Sequence, residues 1–538
     1  MAVNADGTVH GAADGAGDGA GDGSGVDVDV VVVGGGPTGL MLAAEVALLG
    51  VRPVVLESLP ESGREPRANG LVGQVVPALD RRGLYESLTG SAGPPQPNSA
   101  YFTFAGLPLD LSGLPESPVY TVAVPQARIV QVLTSRALEL GAEIRIGHEV
   151  TGLAQREDRV ELEVAGPAGP YRLTARHAVG ADGAHSVMRK LSGIAFPGVT
   201  YDRSVSRHAH VSVPGEWVGP EGLRVPGAGT VPPFLPRRTE RGSFNWAPLP
   251  GRPPLVATLE WEPAEGDEPM SLEEMAASIH RVLGAEVPVA APEGQGPFVL
   301  RRLSGGNTRV ADRFRDRRVF LIGDAAHVYA SGGGPGLNSG LQDAINLGWK
   351  LAAQVKGTAP EGLLDSYAAE RAAAARRTLV YAQAQASIQG PGSDVDALRT
   401  LFGELLQDRS AIQRVADLIA GSDLRYDLGG SHPLVGTHAR DLVLSAQGGP
   451  VRLAELARTG RPLLLDLTET AAAAKAAAGW SARVDVVAGR AEPSVEPGFT
   501  AALIRPDSFV AWATSAPIPD AAELGELRAA GGRWFGVE

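Results

Sequence analysis

Val30-Val31-Val32-Val33-Gly34-Gly35-Gly36-Pro37-Thr38-Gly39 (residues 30–39) decides the fold of this chain. The valine run, reaching back through Val26-Asp27-Val28-Asp29, has the near-continuous apolar character of a strand buried in a parallel sheet. Gly34, Gly36 and Gly39 then carry the Gly-x-Gly-x-x-Gly spacing, and Leu40 to Leu49 are helix-forming residues stopped by Gly50. Pro53-Val54-Val55-Leu56-Glu57 reads as a second strand, so the segment predicts a right-handed βαβ unit. In such a unit the first glycine permits the tight turn, the second lets a pyrophosphate approach the backbone, and the third packs helix on strand. Pro37 and Thr38 open the helix, whose positive end faces the phosphates. Glu57, closing the second strand, is placed to accept hydrogen bonds from an adenosine ribose and would repel a 2′-phosphate. These residues alone leave flavin and nicotinamide dinucleotides equally open.

Around this unit the chain has 538 residues, enough for two or three domains, with the 44% hydrophobic and 20% charged content of a globular enzyme. Its 48 basic and 61 acidic residues give a formal charge of -13. Asp6, Asp14, Asp18, Asp22, Asp27 and Asp29 all precede the first Lys or Arg, so the folded body is only mildly acidic. No long basic patch occurs, which argues against nucleic acid or an anionic membrane as the main partner. The absence of cysteine excludes disulfides, thiolate metal sites, thiol catalysis and flavin attachment through sulfur. There is no basic-then-apolar leader and no run of about 18 apolar residues, so a soluble cytoplasmic protein is expected.

Residues 1–26 repeat Ala, Gly and Asp and predict a disordered tail. Alternating segments from about 145 to 180, such as Val160-Glu161-Leu162-Glu163-Val164, predict a meander of strands. The Pro-, Gly- and aromatic-rich stretch 197–295 predicts a separate, mainly antiparallel domain, followed by helices from 336 to about 421. The last hundred residues read as a small α/β domain, with strands at 462–467 and 483–487, a helix at 471–478, and a hairpin over 501–512. Within 197–295, His208 and His210 face one side of a strand, and the spacing offers no third metal ligand. Phe244 and Trp246 also share a side, as either a wall for a planar aromatic ligand or domain core.

Two further segments select the cofactor: Gly180-Ala181-Asp182-Gly183-Ala184-His185-Ser186-Val187-Met188-Arg189 and Gly323-Asp324-Ala325-Ala326-His327. With the first glycine motif they resemble the three cofactor motifs of class A flavoprotein monooxygenases, the aromatic hydroxylases of the p-hydroxybenzoate hydroxylase type. Most similar is the polyketide-tailoring branch that hydroxylates angucycline and tetracycline intermediates. The resemblance covers about residues 27 to 538 and implies an α/β fold. A discontinuous Rossmann-like FAD-binding domain (27–196 and 296–421) would carry an antiparallel-sheet substrate domain (197–295) and a thioredoxin-like C-terminal domain (422–538) lacking cysteines.

The resemblance also implies residue roles. Asp182 and Arg189 would lie near the pyrophosphate and the NAD(P)H approach path, and the Asp324 carboxylate would bind the ribityl chain. Arg67 would help steer the flavin ring, and Gln126 would contact the flavin side chain. Pro335, Gly336, Leu337 and Asn338, after three glycines, would open a helix near Leu337 whose positive end meets flavin N1 and C2=O. The branch usually has Pro where this chain has Ser331, and often Gln where it has Pro335. The implied enzyme consumes NADPH or NADH as co-substrate and transfers one oxygen from O2, through a C4a-hydroperoxyflavin, to a small polycyclic aromatic substrate. No protein residue is assigned as catalytic, and a homodimer is compatible with the resemblance. Alternatives on the same fold are a Baeyer–Villiger oxygenase, a drug-inactivating oxygenase, or a flavin-binding partner without turnover.

Overall fold

The valine run forms strand β1 (Val28–Val33), buried from Val30 onward. Helix α1 (Pro37–Leu48) begins without a side-chain cap, and β2 (Pro53–Glu57) lies parallel to β1 with Val30 opposite Pro53. The long strand β3 (Gly169–Gly180) changes role along its length. Its first half pairs antiparallel with Val160–Gly166, and its second half, from Ala175, runs parallel to β1. Glu143–Ile146 extends the sheet beyond β2, and Val319–Leu321 lies parallel to β3, giving nine strands among the described residues. The computed structural model describes residues 8–9, 26–60, 70–249, 251–261, 268–294, 296, 298–330, 334–446, 449–491 and 497–538. Within the segment expected to be a disordered tail, Thr8–Val9 departs from that expectation and pairs antiparallel with Ile144 and Arg145 at the sheet edge.

Among the described residues the second sheet has six strands, all paired antiparallel. It comprises β4 (Gly198–His210), Arg237–Thr239, β5 (Gly242–Ala247), β6 (Leu255–Glu260), then, after helix α2 (Leu272–Leu283), β7 (Leu300–Val310) and β8 (His327–Val328). In space the order is Arg237–Thr239, β5, β6, β4, β7, β8. Two of these strands come from beyond residue 295, so the sheet extends past the expected 197–295 boundary. Helix α2 starts on Ser271, whose hydroxyl accepts the Glu274 N–H, and stops at Gly284 with φ of 69°. It covers one face of the sheet. Met275, Ile279 and Val282 pack there with Ala209, Phe244, Trp246 and Val256, while Glu274 binds Arg207 and Ser278 binds both Thr258 and Glu260.

Helices α3 (Pro335–Val355) and α4 (Leu363–Gln389) follow, then Ser393–Leu405 and Arg409–Ala420. The C-terminal part holds a four-stranded mixed sheet. Leu463–Asp466 pairs parallel with Asp485–Ala488 and antiparallel with Ala501–Ile504, which turns back through Val510–Thr514. With the closing helix Ala521–Phe535 this is a thioredoxin-like arrangement, and the chain contains no cysteine. Among the described residues no helix is long and apolar enough to cross a membrane.

A buried ionic cluster joins this last sheet to α3 and α4. Arg505 grips Glu370 through two bonds of 2.7 Å and also pairs with Asp507. Lys350 reaches Glu370 at 2.8 Å, and the Asn346 amide bridges Glu370 and Asp507. Three cations (Lys350, Arg371, Arg505) face three anions (Asp343, Glu370, Asp507), so a region with almost no solvent contact is neutral. Burial alone would raise the Glu370 carboxyl, but Arg505 and Lys350 hold it well below the carboxylate range. Burial pushes the Lys350 ammonium down to about 8 against the attraction of Glu370.

Candidate cofactor site

The three glycine-bearing segments meet because each lacks a side chain where another must pass. Gly34, at φ of 112°, takes a conformation that L side chains rarely adopt, and a Cβ there would lie 2.4 Å from the Ala181 carbonyl oxygen. The second segment therefore rests directly on the first. A Cβ on Gly39 would fall 2.0 Å from the Gly34 oxygen, which is how α1 packs so close to its own turn. Thr38 is wedged between Gly323 and Gly340, whose Cβ positions would be 3.0 and 2.6 Å from its hydroxyl, so the third segment and α3 close onto the first. Gly36 behaves differently: an added Cβ would meet nothing within 4 Å. Its missing side chain serves no packing purpose within the protein and leaves a groove at the uncapped N-terminus of α1.

The polar residues of the three segments divide into braces and exposed groups. Asp182 accepts the Ser186 hydroxyl at 2.6 Å and the Met188 N–H at 3.0 Å, while Ser186 caps the short helix Val187–Leu191. Arg189 donates to the carbonyls of Ala184 and Ala325, both at 2.9 Å, and stacks on Phe196, which ties the second segment to the third. Glu57 accepts the Gly35 N–H at 2.7 Å and the Leu59 N–H at 2.8 Å, closing the glycine turn against β2. Asp324 is the one exposed residue in the otherwise buried run Leu321–His327, and its carboxylate lies 3.4 Å from the Cβ position of Gly336. An exposed carboxylate at the mouth of the groove, with buried neighbours, suits a polyol chain such as ribityl.

Helix α3 starts at Pro335, two residues before the expected Leu337, after Gly334 in a left-handed conformation. Its N-terminus has no side-chain cap. Asn338 fixes this entry instead, donating to the Gly334 carbonyl at 3.2 Å and accepting the Val72 N–H at 3.1 Å. Two uncapped helix starts, those of α1 and α3, thus flank one groove, and both present unsatisfied N–H groups to an electron-rich ligand. A narrow cleft borders α3 and is lined in part by Pro335, Asn338, Gln342 and Tyr381. These features fit a flavin dinucleotide: an open cradle for pyrophosphate, a carboxylate for ribityl, and a positive helix end for the ring.

Other predicted residues are placed elsewhere. Arg67 and Ser331 lie outside the described residues. Gln126 is the first residue of the helix Gln126–Glu139, half-buried behind Pro125. Phe244 and Trp246 do share a side, the α2 side, where both are almost fully buried in the domain core, and Trp246 also borders a surface pocket beside Val211 and Val213. Among the described residues no group of three or more His, Cys, Asp or Glu could hold a metal ion.

Sequence reasoning missed the support beneath the third segment. Asp343 accepts the Gly323 N–H at 3.0 Å, binds His327 at 2.7 Å and takes Arg371 at 2.6 Å, all without solvent contact. Burial favours its neutral form, yet Arg371 and His327 hold it below the ordinary range, so it stays an anion. The signal was available: Asp343, Asn346 and Lys350 recur at helical spacing in an otherwise apolar stretch of α3.

A glycine turn between parallel strands, two bracing loops and paired helix starts define a flavin-dinucleotide oxidoreductase. Comparison with known proteins gives the family. The chain belongs to the FAD binding domain family, whose description matches residues 27–382, and residues 432–537 match the aromatic-ring hydroxylase C-terminal family. It is 40% identical over 498 residues to the 12-dehydrotetracycline 5-monooxygenase/anhydrotetracycline 6-monooxygenase of Streptomyces rimosus subsp. rimosus, covering 91% of this chain and 95% of that one. It is 38% identical over 496 residues to a rifampicin monooxygenase of Streptomyces venezuelae, covering 90% and 95%. Among solved structures, OxyS anhydrotetracycline hydroxylase from Streptomyces rimosus superposes with a TM-score of 0.81 at 37% identity, covering 95% and 99%. The chain is therefore an FAD-dependent monooxygenase with NAD(P)H as its reductant.

Proposed function

We propose that the enzyme places one oxygen atom of O2 on a fused polycyclic phenol of the polyketide type. Residues 27–196 and 296–421 would hold the cofactor and 197–295 the substrate, with β7 (Leu300–Val310) completing the substrate-side sheet, and 422–538 would brace α3 from behind. The observation that carries the reading is the groove itself, where Gly36 leaves space and Asp324 is exposed while Gly34, Gly35 and Gly39 beside it are closed off by packing. Bound FAD, once reduced, supplies the oxygen-transfer chemistry.

The chain's own residues bind, orient and polarise. Gly34, Gly36, Pro37, Thr38 and Gly39 present the N–H groups of α1 to the pyrophosphate. Glu57 receives the ribose and Asp324 the ribityl chain, with Gln126 alongside the flavin side chain. Pro335, Gly336, Leu337 and Asn338 aim the positive end of α3 at the ring edge that becomes electron-rich on reduction. Asp182 and Arg189 act one step back, holding the loops together. The polyketide-type substrate is supported by the likeness to tetracycline monooxygenases over nearly the whole chain.

The test is NADPH and NADH oxidation with a panel of naphthol, dihydroxyanthraquinone and anhydrotetracycline, followed by mass analysis of products made under labelled O2. The reading expects substrate-stimulated oxidation and one labelled oxygen in a hydroxylated product; a lactone or ester would instead indicate Baeyer–Villiger insertion. A second reading, oxygenation of a rifamycin-type drug, is supported by the likeness to a rifampicin monooxygenase. Adding rifampicin to the panel separates the two.

A further inference from the structure

The histidine pair on β4 has no part in the cofactor site, and only one of the two is used structurally. His210 accepts the Val299 N–H at 2.9 Å through Nδ1 and packs edge-on against Phe298. His208 makes no hydrogen bond among the described residues, although it is half-buried. Its place in the second sheet gives that fact meaning. With α2 covering one face, alternation along each strand turns Ser206, His208, Ser243, Asn245, Ala257 and Leu259 to the other. All six are half-buried, neither sealed in a core nor fully open to solvent. Strand register sets Asn245, Ala257, His208 and Arg301 in a single row across β5, β6, β4 and β7.

The sheet meets the cofactor-binding part of the molecule at both edges. Arg238, opposite Ser243, donates to the Gly390 carbonyl at 2.6 Å and the Gln389 carbonyl at 3.4 Å at the end of α4, and it pairs with Asp396. At the far edge Gly306 of β7 abuts Ala330, shortly before the entry to α3, with a Cβ position 2.6 Å from the alanine methyl. The sheet therefore spans from the end of α4 to the segment that leads into the helix start assigned to the flavin ring.

We propose that Asn245, His208 and Arg301 form a recognition row for the oxygenated edge of the substrate, with His208 accepting the hydrogen bond of a phenolic hydroxyl. This rests on the reading of the substrate as a fused polycyclic phenol. The row spans three inter-strand spacings, about 14 Å, long enough for a flat polycycle to lie across the strands with its oxygens meeting successive side chains. The chemistry changes along it: the amide can donate or accept, while the guanidinium only donates and suits a carbonyl or phenolate oxygen. Burial, reinforced by the Arg301 charge, lowers the His208 pKa to about 4, so the ring is neutral at pH 7 and keeps one acceptor nitrogen. The Asn245 Oδ1 atom is buried without a partner among the described residues, a gap of the kind that a ligand or a water fills.

The test compares wild type, His208→Phe and His208→Gln as holoenzymes. Each is assayed by NADPH oxidation with the panel phenol that wild type turns over fastest, and with the O-methyl ether of that phenol. His208→Phe is expected to raise KM for the phenol about tenfold, up to a hundredfold, as for one lost hydrogen bond to a buried hydroxyl, with kcat little changed. KM for the ether should stay as in wild type, and His208→Gln should recover most of the loss. FAD content and thermal midpoint should not move, because the ring gives up no hydrogen bond within the protein. An unchanged phenol KM in His208→Phe, in an enzyme whose wild type is active, overturns the row and leaves the proposed function standing. Equal losses for phenol and ether also overturn it, since they mark a structural role. If wild type oxidises NADPH faster with no phenol at all, both readings fall.

Discussion

Replacing Gly36 by valine should separate cofactor binding from folding, because the structure gives that position a backbone any residue tolerates and a space nothing in the protein fills. Gly36 sits at φ of -73° and ψ of 176°, and an added Cβ meets no atom within 4 Å. The expected change in apoprotein stability is therefore small, about 1 kcal/mol or less, as for apolar residues at a helix N-cap. The same side chain occupies the space through which a pyrophosphate would reach the N–H groups of α1. Charge-assisted hydrogen bonds of this kind contribute about 1.5–3 kcal/mol each. Losing two of them would weaken FAD by roughly two to four orders of magnitude. Gly39→Ala is the contrasting variant. Its Cβ would stand 2.0 Å from a backbone oxygen, so backbone must shift, at a cost of about 1–3 kcal/mol or more. Flavin retained after gel filtration, FAD titration of apoprotein, and thermal unfolding of the apo forms measure the three quantities. A Gly36→Val protein that keeps FAD as wild type does, or that unfolds as readily as Gly39→Ala, would refute the argument.

Other consequences follow from the buried groups. Glu370→Gln leaves Lys350 and Arg505 short of an anion in the dry interface, and denaturant unfolding should show a loss of about 3–5 kcal/mol; a loss below about 1 kcal/mol would remove the cluster from the account. Phe244→Ala should destabilise by about 3–5 kcal/mol, as a core truncation, with KM for the substrate unaffected in the folded fraction. Burial with nearby arginines lowers His177 to about 4, His208 to about 4 and His438 to about 3. Between about pH 4 and their ordinary value near 6.5 the unfolded chain binds more protons, so stability falls as pH falls, by roughly 1.4 kcal/mol per pH unit for each histidine. Urea midpoints at pH 7, 6 and 5 read this slope, and a flat profile contradicts it.

What the sequence made legible was local. The valine run, the glycine spacing and the terminal carboxylate of β2 act within a few residues of one another, so βαβ and its ligand chemistry could be read directly. Sidedness could not. Alternation says that Phe244 and Trp246 share a face, and only the packing of Met275, Ile279 and Val282 from α2 decides which one. The same decision turns His208 and Asn245 to the opposite face. The anchoring of α3 was equally hidden, because Lys350, Glu370 and Arg505 are far apart in the chain and each resembles an ordinary surface charge until three elements pack together. Asp182 and Arg189 were legible as motif residues, but their bonds to Ser186, Ala184 and Ala325 are braces, a distinction that spacing does not carry.

The central claim is that three distant loops build one flavin site, and the ratio of bound FAD to polypeptide tests it most directly. Purified protein, after incubation with FAD and removal of the excess, should show a flavin spectrum at one FAD per chain, bleached by NADPH or NADH when an acceptable phenol is present. Protein that stays colourless, and takes up no FAD while fully folded, would contradict the account at its root.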